Sequence, residues 1–168
     1  MDHNEGMDAD RTDGRDETVT ERMDRNWNEL LQELRVTQTG AQLLMGFLLT
    51  IPFQQRFADL DDYQRNLYLA LVAVALLATA LIVAPVSLHR ELFRRHMKPE
   101  LVQSGNVLAK AGLIALSAAL VGVGSLLFDV VVSRVAGLTV AAATAGLLVG
   151  AWWVLPRVLV SRHEARRP

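Results

Sequence analysis

Sorted into apolar and polar positions, the chain reads as four long apolar runs separated by short charged segments. No Asp, Glu, Lys or Arg interrupts Val36 to Gln55 (20 residues), Asn66 to Leu88 (23), Ala111 to Phe128 (18) or Val135 to Pro156 (22). At 1.5 Å per residue, about 20 apolar helical residues cross the roughly 30 Å of hydrocarbon in a bilayer. One such run could be the core helix of a soluble domain. Four of them in 168 residues leave too little polar chain to cover them. The pattern predicts an all-α fold, a four-helix transmembrane bundle with spans at about 36–55, 66–88, 111–132 and 135–156.

Ahead of the first run the pattern changes twice. Residues 1–24 are dominated by Asp, Glu, Arg, Thr and Gly with almost nothing to bury, and read as a disordered acidic cytoplasmic tail. They contain no apolar h-region, so no cleaved signal peptide is expected. From Trp27 onward an apolar stripe appears at Trp27, Leu30, Leu31 and Leu34, spaced i, i+3, i+4, i+7, with Arg25, Asn28, Gln32 and Arg35 on another face. This predicts an amphipathic N-terminal extension of the first helix at the membrane interface, with Trp27 at headgroup level. The four-span domain is then residues 25–160, followed by a basic cytoplasmic tail at 161–168.

Composition refines this picture. Hydrophobic residues make up 51% of the chain but aromatics only 6%, so the apolar mass is Leu, Val and Ala, as suits lipid-facing helices. There is no cysteine, which excludes disulfides, thiolate catalysis and Cys-ligated metals. The net charge of −1 and the dispersed bases give no reason to propose a nucleic acid partner. Lys and Arg alternate rich, poor, rich, poor, rich across the five segments outside the spans. Basic loops stay inside, so both termini are predicted cytoplasmic in a multi-pass protein of the plasma membrane.

The first span is partly polar. Gln32, Arg35, Thr39, Gln42, Gly46 and Thr50 fall within about 80° of one another on a helical wheel and form one polar and small seam. Hydrogen bonding and close packing against other helices of the bundle is the favoured reading. The wall of a hydrophilic path is the alternative. In the third span Ala111, Ala115, Ala118, Gly122, Ser125 and Asp129 form a heptad-like strip of small residues. The fourth carries Gly146 and Gly150 as a GxxxG, extended by Ala142. Gly122, Ser125, Gly146 and Gly150 are thus candidate helix-packing residues, either between spans three and four or between copies of the chain.

Asp129 is the one acid positioned to lie near membrane depth, and Arg134, five residues on, could neutralise it. A structural ion pair is favoured. A proton or cation site involving Asp129, Arg35 and Gln42 is the alternative. Asp59, Asp61 and Asp62 read as a solvated loop without calcium-loop spacing. His89 and His96 share a helix face but lack a third ligand, so no metal site is expected. Tyr63, Tyr68, Trp152 and Trp153 read as interfacial anchors. No serine elbow, phosphate-binding glycine loop or HExxH motif occurs, so neither a catalytic site nor a cofactor is expected.

The stretch RNWNELLQELRVTQTGAQLLMGFLLTIPFQQRFADLDDYQRNLYL resembles an uncharacterised family, a domain of unknown function, of small four-span membrane proteins from high-GC Gram-positive bacteria. NELLQELRVTQTG and LTIPFQQRFADLDDYQR carry most of the resemblance, which continues through APVSLHRELFRRH over roughly residues 25–160. It implies the membrane class and four spans. Some members are automatically labelled sodium:proton antiporter, but the resemblance brings no site residues with it. The chain is therefore expected to be a non-enzymatic bundle in the lipid bilayer, acting as a homo-oligomer or as accessory to another membrane protein. A small cation or proton transporter is the alternative.

Overall fold

A computed structural model describes residues 18–92 and 98–164. Helix α1 spans Val19–Thr50, α2 Asp62–Leu92, α3 Lys98–Val131 and α4 Arg134–Val149, and no strand occurs among the described residues. A π-helical turn at Gly150–Val154 leads from α4 into α5, Leu155–Glu164, with the backbone helical on both sides. The architecture is therefore all-α and built from four helical rods, each long and apolar enough to cross a membrane: Asp24–Phe53, Asp62–Val86, Ser104–Val131 and Arg134–Val158.

Two boundaries differ from those expected. Helix α1 begins inside the segment assigned to the acidic tail, because Thr18 and Glu21 close a capping box. The Thr18 hydroxyl accepts from the Glu21 amide at 3.3 Å, and the Glu21 carboxylate accepts from the Thr18 amide at 2.9 Å. The Thr18 amide and, at 2.8 Å, the Thr18 hydroxyl both donate to the Glu21 carboxylate and hold its carboxyl below its ordinary pKa. Helix α3 begins at Lys98 and runs 34 residues, so Lys110 lies within a helix and not in a loop. His96 lies outside the described residues, as do residues 1–17 of the predicted tail and 165–168 at the other end.

The chain forms two compact units. The first comprises Met1–Leu44 and Leu77–Leu113, and draws on α1, α2 and α3. Its core is Trp27, Leu34, Ala41, Ala78, Ile82 and Ala109. Trp27 is only 6% exposed and lies against Gly105 of α3, so its indole is a packing group of this unit and not a headgroup anchor. Gly112 of α3 meets Leu81 and Ile82 of α2. The buried line on α3 therefore runs through Gly105, Ala109 and Gly112, rotated one residue from the strip expected from Ala111.

The second unit comprises Met45–Leu76 and Ile114–Pro168. Pro52 cannot prolong α1, and the chain continues as two 3-10 turns, Ile51–Phe53 and Gln55–Asp59, around an extended Gln54. Tyr68 is buried, donates its hydroxyl to the Leu48 carbonyl at 3.0 Å, and receives the Phe57 ring edge-on with centroids 5.2 Å apart. It is a bundle residue and not an interfacial anchor, because that hydrogen bond satisfies its polar end internally. Ala118 of the expected α3 strip is exposed, while Ala119, Ser125 and Leu126 are buried.

Candidate functional site

The polar chemistry of the second unit gathers where α2 begins, α3 ends and α4 begins. Asp61 caps α2: its carboxylate accepts from the Gln64 amide at 2.8 Å, and its own amide donates to the Gln64 side-chain oxygen at 3.1 Å. This is a capping box in the D-x-x-Q register. Ser133, with extended backbone, caps α4 by accepting from the Ala136 amide at 3.3 Å. The first turn of α4 lies close on α3 because Gly137 carries no side chain; an added Cβ would stand 2.6 Å from the Ser125 carbonyl oxygen.

That approach delivers Arg134 to two carboxylates. Its Nη2 donates to Asp61 Oδ2 at 2.6 Å and its Nε to Asp129 Oδ2 at 3.2 Å, while the guanidinium lies over the Tyr63 ring, 3.9 Å from the centroid. Gln64 Nε2 donates to the other oxygen, Asp129 Oδ1, at 3.1 Å. The Asp129 side chain is 6% exposed, against 44% for Arg134 and 54% for Asp61. The Gln64 amide, and after it the charge of Arg134, holds the Asp61 carboxyl below its ordinary range. Chemically this is a clasp. It neutralises one nearly buried carboxylate and ties three helix ends together.

The other candidates lie elsewhere. Arg35 and Gln42 belong to the first unit and are exposed on α1, whereas the side-chain partners of Asp129 are Gln64 and Arg134 of the second. Indeed Gln32, Arg35, Thr39, Gln42, Gly46 and Thr50 are all exposed. The polar seam faces away from the other helices, contrary to the packing role expected of it. The physical reason is competition for one buried face. Trp27, Leu34, Ala41 and Leu48 recur every seven residues and occupy it, leaving the seam roughly 130° away around the helix.

The small residues divide similarly. Gly122 packs on the Leu71 side chain, and Ser125 lies against Gly137. Gly146 and Gly150 have nothing within 4 Å of where a Cβ would stand, so the GxxxG of α4 makes no contact with α3. Gly137 is the one buried residue of α4. Sequence reasoning missed Gln64 and the roles of Tyr63 and Asp61. The D-x-x-Q spacing just before an apolar run was the available signal.

The second unit also holds an apolar cavity of about 240 Å³, walled by the end of α1, the 3-10 turns and one face of α3. Leu48, Ile51, Phe57, Leu60, Val123, Leu126, Leu127 and Val130 line it together with Gln54 and Arg56, and almost none of the lining surface is polar. Among the described residues no three His, Asp or Glu side chains converge as metal ligands.

A family of unknown function, DUF6328, matches residues 16–156, and the chain belongs to that family. No curated protein and no solved structure matches the chain.

Proposed function

We propose that this member of a family without an assigned function is a multi-pass membrane protein that performs no chemistry of its own. It works through helix–helix association, as a homo-oligomer or as an accessory subunit of a larger membrane complex. The observation that carries this reading is the outward turn of the α1 seam. Gln42 is the seventh residue of the charge-free run Val36–Gln55, about 10 Å inside its charged edge. Thr39 and Thr50 satisfy their hydroxyls on the carbonyls of Arg35 and Phe47, at 3.0 and 2.7 Å. The Gln42 carboxamide has no such partner among the described residues. An amide left unpaired in hydrocarbon costs several kcal/mol, and a glutamine at this depth is stabilised by bonding across to another helix. Gly46, one turn on and equally open, lets a partner backbone approach. The open Gly146–Gly150 face of α4 offers a second contact.

The transport alternative has less support. Both oxygens of Asp129 are engaged, by Gln64 and Arg134.

The absence of native cysteine makes the test direct. Thr39→Cys, on the seam, and Phe47→Cys, on a different exposed face of α1, are oxidised in native membranes. The seam cysteine should give a crosslinked product, a dimer of this chain or an adduct with a partner cysteine, and Gln42→Leu should weaken it. If the two cysteines crosslink equally little and the protein stays monomeric, the proposal fails.

A further inference from the structure

Among the described residues the buried apolar side chains lie on α1, α2 and α3, in both compact units. Helix α4 contributes Gly137 alone. In the most apolar stretch of each helix, 28% of residues are buried in α2 and 22% in α3, but none in α4. A 16-residue helix that buries one residue is held by something other than a shared core.

What holds it is concentrated in its first two turns. Arg134 reaches Asp61 and Asp129 and lies over Tyr63. Gly137 lies against the backbone of Ser125 and Asp129, and a Cβ on Gly124 would stand 3.4 Å from Val140. Farther along, Ala141, Thr144, Ala145 and Leu148 are half-buried and none is buried, while Gly146 and Gly150 have nothing within 4 Å of where a Cβ would stand. In a bilayer, lipid tails are as apolar as these side chains, so no hydrophobic force presses the far end inward. Close packing would have to hold it, and the close approaches stop at Val140.

We propose that α4 is an arm that pivots on the clasp: its first turn stays fixed while its far end swings away from α3 and back. Arg134 and Asp129 remain paired throughout, so the motion bares no charge to hydrocarbon. The lever sets the amplitude. Leu147 lies 13 residues beyond Arg134, about 20 Å along the axis, and Leu138 four residues, about 6 Å. A tilt change of about 10°, modest against the roughly 40° range of spanning helices, moves Leu147 by about 3.5 Å and Leu138 by about 1 Å. The pivot is built within one chain and does not rest on the association reading.

Pulsed electron paramagnetic resonance tests this on the full-length protein, which has no native cysteine to label. Leu127→Cys with Leu138→Cys makes a near pair and Ile114→Cys with Leu147→Cys a far pair, all at exposed positions. Each is diluted with unlabelled protein in lipid nanodiscs, so that only distances within one chain are read. The far pair should give a distance distribution roughly 1.5–2 times as wide as the near pair, once the spread of the label itself is included. Arg134→Ala should widen the near pair toward the far one by removing the pivot, with circular dichroism confirming that the helices remain. Where that variant loses helix, Arg134→Ala with Asp129→Asn, which leaves no stranded carboxylate, replaces it. Equal widths for the two pairs in the native protein overturn the proposal, as does a near pair left unchanged by the loss of Arg134.

Discussion

Alanine at Gly137 and alanine at Gly146 are chemically the same change on one helix, yet they should differ in effect. At Gly137 the new Cβ would stand 2.6 Å from the Ser125 carbonyl oxygen and 3.1 Å from the Asp129 amide nitrogen. That is about 0.8 Å inside the 3.4 Å at which ordinary contact begins. Both obstructing atoms are backbone, so no rotamer change relieves the clash and α4 must move off α3. Overpacking of this kind costs about 1–3 kcal/mol. The helical propensity of alanine opposes it by up to about 1 kcal/mol, but largely cancels when the denatured reference state is itself helical, as in SDS micelles. At Gly146 nothing lies within 4 Å, and the change should stay within about 0.5 kcal/mol. The assay is SDS titration of dilute purified protein in mixed micelles, followed by circular dichroism and tryptophan fluorescence. Dilution matters, because it separates folding of one chain from association through the open glycine face. A Gly137→Ala protein that unfolds at the native midpoint would refute the reasoning that backbone contact holds α4 on α3.

Three further outcomes follow from the clasp and its surroundings. Arg134→Ala should destabilise by about 1–3 kcal/mol, because it leaves the nearly buried Asp129 with Gln64 as its one remaining hydrogen-bond partner among the described residues; adding Asp129→Asn should recover much of the loss in the same titration. The Asp61 carboxyl is depressed in the folded state, so its contribution is fully present above the ordinary aspartate pKa of about 3.9 and is lost as pH falls below it. The unfolding midpoint should therefore hold steady from about pH 8 to 5 and drop below about pH 4, less steeply in Asp61→Asn. Tyr68→Phe removes the bond to the Leu48 carbonyl and should cost about 1 kcal/mol by the same titration, without altering the helical content.

What the chain shows before folding depends on which physical rule decides each element. The four helices follow from runs of charge-free residues, and length against hydrocarbon thickness is a strong constraint. Which way each helix turns is a weaker inference, because two faces of α1 qualified for burial. The seam of Gln42 and Thr39 looked like an interior, yet the seven-residue recurrence of Trp27, Leu34, Ala41 and Leu48 took that place. A helical wheel ranks faces by polarity, whereas packing ranks them by how closely backbones approach. The clasp was partly legible. Asp129 and Arg134 are near neighbours in sequence, but Asp61 and Gln64 reach them across more than 60 residues, and their capping box was the missed signal. Gly122 and Gly146 looked alike on paper. They differ only because Leu71 lies against one and nothing lies against the other.

The contrast between Asp129 and Gln42 bears most directly on function. Both are polar groups that hydrocarbon would penalise, and the chain treats them in opposite ways. Around Asp129 it spends a cap, a cation and an amide to leave neither oxygen unpaired. Around Gln42 it supplies no partner among the described residues. On the association reading proposed above, a fold that satisfies its most expensive group internally and leaves a cheaper one outward is complete as a single chain at the clasp and open to a partner along α1. A transporter needs the reverse, a buried group whose partners can be exchanged during the cycle. A protein that associates needs a donor and an acceptor held out at membrane depth, and a carboxamide is both at once, able to pair with its own symmetry mate or with a backbone carbonyl of another helix.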